Sequence, residues 1–301
     1  MRRLALGGLV FAALVLGGLL LFLAPGHLQI RGINPPLPAA GELFEALAVD
    51  DGPVQLQFLN TASQALPDQS SMAYPGFVLT WNDGRRFMID AGMERDAAIA
   101  FGKPLEWLLG AEAAQPLGSV GEQMGSRSGE VGAIAFTHLH SDHTGGIRSL
   151  CAGRDSDLVL YQTPLQAEER NYTTDMGYAL ISEAGCARVS VLGEAPLFRA
   201  AEYPGLVAVA AGGHTPGSTI FLAEVGGHRW VFSGDITNSR SELESDIPKH
   251  FLYSLLIVPE SPDRQATLRA WLRDLDRDPR TTVVVSHDLD ALEASGISGW
   301  R

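Results

Sequence analysis

The sequence is poor in positive charge and in cysteine. It has 22 Lys and Arg against 35 Asp and Glu, a formal net charge of −13, and no run of basic residues after residue 3. Because phosphate backbones are bound by patches of Lys and Arg, we expect no nucleic-acid partner. Two cysteines are too few for a zinc ribbon, and Cys151 and Cys186 are either one disulfide or two buried free thiols.

Charged residues are also scarce overall. They make up 19% of the chain, whereas hydrophobic residues make up 46%. This balance argues against disorder and is ample for a packed core. The length of 301 residues allows one large domain or two small ones.

Charge is absent altogether from residues 4–26, which are mostly Leu, Val, Ala, Phe and Gly. A bilayer span needs ~20 apolar residues, whereas the apolar region of a cleaved signal has ~7–15. No small-x-small cleavage site follows, so residues 1–26 are predicted to be an uncleaved signal anchor. A cleaved signal peptide, with a secreted enzyme, is the alternative. Arg2 and Arg3 should stay in the cytoplasm by the positive-inside rule, which predicts that the remainder is periplasmic or otherwise extracytoplasmic.

Turn residues divide the rest of the chain. Residues 27–53 are interpreted as a linker and approach segment, because prolines break regular structure there, with a short helix predicted at 41–49. From residue 54 short apolar runs alternate with turns, and the Asn-Asp-Gly sequence at 82–84 is typical of a hairpin. A catalytic domain over 54–301 is therefore expected to begin with a β-meander.

The following segment, residues 95–123, is rich in Ala and Leu and predicts helices. Trp107 and Leu109 are expected to lie in the core rather than at a cofactor.

Three histidines and an aspartate lie within six consecutive residues: His138, His140, Asp142 and His143. They follow an apolar run at 131–136, so they fall where a predicted buried strand leaves its sheet. A single histidine at a strand end is usually only a hydrogen-bonded residue, but this density favours metal binding. Imidazole and carboxylate groups are preferred ligands of zinc and related ions, and alternate residues His138 and His140 can point the same way from an extended backbone. Asp142 and His143 would serve a second ion.

The H-x-H-x-D-H pattern resembles the signature of the metallo-β-lactamase-fold hydrolases, and the resemblance extends from about residue 54 to the C terminus. It implies an α/β (α+β) fold, a four-layer αβ/βα sandwich of two mixed sheets with helices outside, preceded here by the N-terminal membrane segment. The site is expected at one edge of the sheets.

Three later positions complete the resemblance, each at the end of a predicted strand. His214 lies in a Gly-Gly-His-Thr-Pro-Gly turn, Asp235 follows Ser-Gly, and His287 follows a β-branched run. The resemblance implies that one metal is bound by His138, His140 and His214, the other by Asp142, His143 and His287, with Asp235 bridging. Asp90, which ends another predicted strand, is expected by the same resemblance to orient a ligand.

The implied cofactor is two divalent metal ions per chain, with zinc expected and iron or manganese left open. Two such ions can share a hydroxide, which would attack an ester, lactone or thioester in a small-molecule substrate. Asp142 is the predicted catalytic residue, both ligating and orienting the nucleophile, and His250 and Tyr253 are candidate substrate contacts.

The residue type at position 235 indicates which branches of the family the chain resembles. Asp rather than Cys at position 235 resembles the lactonase, glyoxalase II and phosphodiesterase branches, not the Cys-containing β-lactamases. Lactonases of the family carry a Tyr three residues after this Asp, where this chain has Asn238. The alternatives are a phosphodiesterase or β-lactam hydrolase on the same site, or a mononuclear-iron sulfur dioxygenase.

Overall fold

The computed structural model describes residues 2–193 and 195–301, except the side chains of residues 2–10 and 12. Met1 and the side chains of Arg2 and Arg3, with which the predicted signal anchor begins, lie outside this description. In chain order the helices are α1 (Arg2–Gly32), α2 (Ala40–Leu47), α3 (Arg95–Leu109), α4 (Val120–Met124), α5 (Ser141–Thr144), α6 (Ile147–Cys151), α7 (Pro164–Glu168), α8 (Asp175–Ala184), α9 (Arg240–Ser245), α10 (Phe251–Leu256), α11 (Pro262–Asp276) and α12 (Leu289–Ala294).

The strands alternate with these helices over most of the chain. They are β1 (Gln55–Ala65), β2 (Ser71–Thr80), β3 (Arg86–Ile89), β4 (Gln115–Pro116), β5 (Val131–Ala135), β6 (Leu158–Gln162), β7 (Ala187–Val191), β8 (Phe198–Arg199), β9 (Leu206–Ala210), β10 (Thr219–Val225), β11 (His228–Phe232), β12 (Thr281–Val284) and β13 (Ser298–Gly299).

Helix α1 is long and apolar enough to cross a membrane. Its Ala13–Gly32 segment has a mean hydropathy of 1.8 and is mostly free of contact with the rest of the protein, features that a signal sequence also shows. The helix continues past the expected boundary at residue 26, because Leu23 and Ile30 are buried against the domain. The predicted linker therefore begins as helix.

The first sheet has the order β13-β1-β2-β3-β5-β6-β7, with β4 also paired to β1. Strands β1, β2 and β3 are antiparallel neighbours and form the predicted meander, whereas β3, β5, β6 and β7 are parallel. Asn82, Asp83 and Gly84 form the predicted turn, and Gly84 has a positive φ of 87°. The second sheet has the order β12-β11-β10-β9-β8.

The two sheets pack face to face, with Phe77 of the first and Phe232 of the second 4.8 Å apart between ring centroids. The outer face of the second sheet is covered by α2 and α11, through buried residues such as Leu43 and Leu268. Helices α4, α6 and α8 cover the outer face of the first sheet, and Ile147 is among their buried residues. The predicted four-layer αβ/βα sandwich is confirmed.

The structure corrects the prediction for two apolar residues of α3 and decides between the two alternatives for the cysteines. Trp107 and Leu109 were expected in the core and are exposed, because α3 buries its Ala98 and Gly102 side and ends at Gly110. The two cysteines form a disulfide, Cys151–Cys186, which joins the end of α6 to the segment that enters β7.

Candidate metal centre

Every predicted ligand lies just beyond the carboxyl end of a strand. His138 and His140 follow β5, His214 follows β9, Asp235 follows β11 and His287 follows β12. Parallel neighbours end at the same edge of a sheet, so β11 and β12 deliver their residues to one place. The facing edges of the two sheets thus bring together side chains that are far apart in sequence.

The first cluster consists of His138, His140, His214 and Asp235, whose potential ligand atoms all lie within 4.8 Å of one another. His140 Nδ1 is 3.3 Å from His214 Nε2. Asp235 Oδ2 is 3.6 Å from His214 Nε2 and 3.9 Å from His138 Nε2. This is the first predicted ligand set together with the predicted bridge.

The second cluster consists of Asp142, His143, Asp235 and His287, again within 4.8 Å. Asp235 Oδ1 is 3.2 Å from the Nε2 atoms of both His143 and His287. Asp142 Oδ2 is 3.4 Å from His287 Nε2. Asp235 therefore belongs to both clusters: Oδ2 lies near His214 and His138 of the first, and both oxygens lie within 3.3 Å of His287 Nε2 of the second.

The side chains present fit divalent cations. Among the described residues, buried His138 Nε2, His143 Nε2 and Asp235 Oδ1 lack a hydrogen-bond partner although they face one another. The opposite ring nitrogens are satisfied: His143 Nδ1 lies 2.9 Å from Asp90 Oδ2, and His287 Nδ1 lies 2.8 Å from the Ala73 carbonyl. Unpaired buried acceptors are costly unless a cation satisfies them, and imidazole with carboxylate is a zinc-type donor set.

Residues 76–172 match the model of the metallo-β-lactamase superfamily. This stretch holds the H-x-H-x-D-H sequence, from His138 to His143, and continues into the parallel part of the first sheet. The chain is therefore similar to the metallo-β-lactamase superfamily over about a third of its length. No curated protein matches the sequence.

Solved structures share the same superfamily fold. An N-acyl homoserine lactone hydrolase with the product N-hexanoyl-L-homoserine at its catalytic metal centre has a TM-score of 0.59 and 13% identity, covering 81% of this chain and 96% of that one. AidC, a dizinc quorum-quenching lactonase, has a TM-score of 0.53 and 14% identity, covering 79% of this chain and 89% of that one. A probable metal-dependent hydrolase from Staphylococcus aureus has a TM-score of 0.53 and 14% identity, covering 80% of this chain and 91% of that one. Identities this low show the fold.

The electrostatic environment differs between the two clusters. Burial, together with His143 and His140, holds the pKa of His138 well below its usual value, which leaves its ring neutral. Burial also lowers the pKa of His143, but the carboxylates of Asp90, Asp142 and Asp235 outweigh this effect. They raise the pKa of His143 well above its usual range. A proton therefore competes with a cation for Nε2 of His143 more strongly than for Nε2 of His138.

Asp90 is placed where it can orient His143. Its φ is 56°, a left-handed conformation that Asp and Asn tolerate better than most residues. The carboxylate accepts hydrogen bonds from the Thr137 amide at 2.7 Å and the Thr137 hydroxyl at 2.8 Å, and its Oδ2 meets His143 Nδ1. Thr137 thus fixes the orientation of the Asp90 carboxylate, which in turn orients the His143 ring.

Lys249 and Glu260 were missed by sequence reasoning, because they lie between Asp235 and His287 without any recognisable spacing. Glu260 Oε1 is 2.6 Å from His214 Nδ1 and 3.1 Å from Lys249 Nζ. Lys249 Nζ also donates to the Asp235 carbonyl at 2.6 Å. Burial would raise the pKa of Glu260, but Lys249 and the His214 hydrogen bond outweigh it and lower the pKa to about 2.

The two candidate substrate contacts separate in the structure. His250 is exposed, and its Nδ1 accepts a hydrogen bond from the Leu252 amide at 3.3 Å, which caps α10. Tyr253 is half-buried and has Lys249 Nζ 5.3 Å from its ring centroid. Burial, together with Asp235, Glu260 and Asp142, raises the pKa of the Tyr253 hydroxyl well above its usual value.

Proposed function

We propose that this protein is a binuclear metal-dependent hydrolase that cleaves an ester, lactone or thioester bond in a small-molecule substrate. The match of residues 76–172 to the metallo-β-lactamase superfamily model supports this proposal. The observation that carries the two-metal proposal is Asp235, whose carboxylate belongs to both clusters of potential ligands. A shared carboxylate of this kind holds two cations at a fixed spacing.

The proposed ligands are His138, His140 and His214 for one ion, Asp142, His143 and His287 for the other, and Asp235 for both. Zinc suits these donors, and iron and manganese accept the same ligand types. Two divalent ions held there would supply Lewis acidity and would lower the pKa of a water molecule toward neutrality.

Asp142 is the proposed catalytic residue of the chain itself. Its carboxylate is buried, and Oδ2 lies 3.4 Å from His287 Nε2 and 3.7 Å from His143 Nε2. In this position the carboxylate can orient an attacking water molecule and accept its proton.

Tyr253 is proposed to contact the substrate. A tyrosine hydroxyl keeps its proton at neutral pH, which the raised pKa of Tyr253 reinforces, and it can donate a hydrogen bond to a carbonyl or leaving-group oxygen. Asn238 stands where family lactonases carry a tyrosine, and its backbone amide donates instead to Glu242 Oε2 at 3.0 Å. A tyrosine from α10 would serve this chain in its place. His250 remains a weaker candidate, because its ring caps α10.

The test is the combination of metal analysis and a substrate panel. Wild type and the variants Asp235→Ala and His138→Ala are compared for metal content and for hydrolysis of lactones, thioesters, phosphodiesters and β-lactams. The matched control is Glu202→Gln, whose carboxylate accepts from the Tyr161 hydroxyl away from the clusters. Both site variants should lose metal and activity, whereas unchanged metal content in both would overturn the ligand assignment.

We also propose that α1 anchors the catalytic domain on the extracytoplasmic side of the membrane. The apolar helix supports the anchor, and the Cys151–Cys186 disulfide supports an oxidising compartment such as the periplasm. A cleaved signal and a secreted enzyme would satisfy the disulfide equally, so the cleavage state needs N-terminal sequencing of the mature protein.

A further inference from the structure

Helix α10 carries its apolar side chains on the outside. Phe251, Leu252, Leu255 and Leu256 are between 44% and 67% exposed, and Ile257 continues the patch. Phe251 with Leu255, and Leu252 with Leu256, are i, i+4 pairs that lie side by side on the helix surface. A surface helix of a soluble domain normally turns its polar side outward, so a contiguous apolar face marks a surface that binds something.

Contacts on the inner side of α10 prevent the helix from rotating about its axis to bury its apolar face. On its inner side Ser254 Oγ donates to Glu260 Oε2 at 2.5 Å, and Tyr253 lies over Lys249. Glu260 and Lys249 are themselves fixed by His214 and by the Asp235 carbonyl. The outward direction of the apolar face is therefore set by the contacts around the metal centre.

Helix α1 leaves the domain beside the same segment. His27 Nε2 lies 3.0 Å from the Leu255 carbonyl, and the Tyr172 hydroxyl donates to the Ile257 carbonyl at 3.3 Å. The Tyr172 ring contacts Phe22, with 4.8 Å between ring centroids. Large apolar residues of α1 between Phe11 and Leu21 are exposed, so this part of the helix, where its side chains are described, extends away from the domain.

With residues 4–22 in the hydrocarbon core, helix geometry places α10 at the level of a bilayer surface. The uncharged residues before the docked part, 4–22, span roughly 28 Å at ~1.5 Å per residue, against ~30 Å for a hydrocarbon core. His27, which contacts α10, is only about 8 Å further along the axis from Phe22. Interfacial helices bury their apolar face ~5–10 Å into the boundary between headgroups and acyl chains, which matches this offset.

We propose that the exposed face of α10, formed by Phe251, Leu252, Leu255, Leu256 and Ile257, is inserted in the lipid surface of the bilayer that α1 enters. The chain is then attached at two points, and α10 joins them: its outer face contacts lipid and its inner face, through Tyr253, borders the metal centre. This goes beyond the proposed hydrolysis, which requires no lipid contact, and it does not depend on which bond is cleaved.

The experiment uses the full chain in phosphatidylcholine–phosphatidylglycerol vesicles that contain spin-labelled lipids. Leu256→Cys and Ile257→Cys are labelled with an environment-sensitive fluorophore, since the native cysteines are paired. The matched control is Val54→Cys, which is 48% exposed and lies beside the Gln55–Thr80 pair, at the sheet edge opposite the metal centre. Metal content verifies that each variant is folded.

Labels at 256 and 257 should be quenched by the spin-labelled lipid at least about twofold more than the label at 54, as expected for a segment at the acyl boundary. Equal quenching at all three positions would overturn the proposal. So would a blue-shifted label at 256 or 257 that the lipid spin label does not quench, because this would show that protein, such as a second copy of the chain, covers the face.

Discussion

Three histidines of the metal centre are held by a partner on the ring nitrogen that faces away from the clusters. Glu260 holds His214, Asp90 holds His143, and the Ala73 carbonyl holds His287. Such partners fix the tautomer and orientation of a metal ligand and raise its basicity. Because Glu260 and Asp90 contact histidines of different clusters, their effects on metal binding should be separable.

Replacement of Glu260 by Gln should weaken metal binding at the first cluster by about 10- to 100-fold, the usual cost of losing a partner of a ligand histidine. The loss of the carboxylate also leaves Lys249 without its charge partner. Chelator competition and cobalt titration measure the change, with Glu202→Gln as control. Equal affinity in wild type and Glu260→Gln would contradict this role.

Replacement of Asp90 by Asn should instead weaken the second cluster, by a similar factor of about 10- to 100-fold. Asn tolerates the positive φ of this position, so the backbone is preserved while the anionic partner of His143 is removed. In a two-phase cobalt titration the phase affected should differ from that in Glu260→Gln. If both variants altered the same phase, the assignment of the two clusters would be wrong.

The seven proposed ligands could be found in the sequence because four of them stand within six consecutive residues and the other three follow apolar runs. Glu260 could not, because its contact with His214 joins residues 46 positions apart through tertiary packing alone. Lys249 likewise acts on a backbone carbonyl, which leaves no pattern of side chains to recognise.

Helix α8 approaches the loop after β5 through a glycine. A Cβ at Gly177 would lie 2.0 Å from the Leu139 carbonyl oxygen, which is backbone between two proposed ligands. Any side chain there must push the loop or the helix away. The glycine is therefore part of what positions His138 and His140.

Gly177→Ala should lower the free energy of unfolding by about 1–3 kcal/mol, as overpacking does, and should also reduce metal content. The matched control is Gly129→Ala, because a Cβ at Gly129 would have nothing within 4 Å. Urea denaturation followed by circular dichroism and metal analysis measure both effects. Equal stability of the two variants would contradict the packing argument.

The Cys151–Cys186 disulfide closes a loop across a sequence separation of 35 residues around β6. The double variant Cys151→Ser with Cys186→Ser should lose about 2–4 kcal/mol of unfolding free energy, mainly because the unfolded chain is less constrained. Urea denaturation of wild type with and without a reductant checks the same quantity. If reduction left the transition unchanged, the disulfide would not stabilise the fold.

Strand positions were predicted well where apolar residues alternate or run together, as in β3, β5 and β9. The end of β1 was missed because its residues are polar: Gln64 is buried only by donating to the Gly102 and Glu112 carbonyls. The prediction that Trp107 lies in the core was wrong. An apolar side chain does not reveal whether its helix extends beyond the edge of the sheet, where nothing covers it.

The whole molecule is organised about one edge, where the facing sheets, α10 and the exit of α1 meet. Sheet order could not be read from the sequence itself, because pairings such as Phe58 with Gly299 join opposite ends of the domain. Family resemblance supplied the architecture instead. The position of α1 beside α10 had no counterpart in that resemblance and came from the structure.

A C-terminal alkaline phosphatase fusion to the full chain should be active, and a C-terminal fusion to a cytoplasm-dependent fluorescent protein should be dark, because the positive-inside rule sends the domain out of the cytoplasm. The fusion should remain in the membrane fraction after a high-salt wash. The reverse reporter pattern would contradict the proposed orientation, and full release by salt would contradict the anchor.

The most direct test of the central claim is elemental analysis of the purified wild-type protein. The two clusters that share Asp235 predict about two equivalents of divalent metal per chain, with zinc expected. Retention of a single iron, accompanied by oxygen uptake with a persulfide, would contradict the binuclear hydrolase and favour a dioxygenase. Absence of bound metal after reconstitution with zinc, iron and manganese would contradict the metal centre itself.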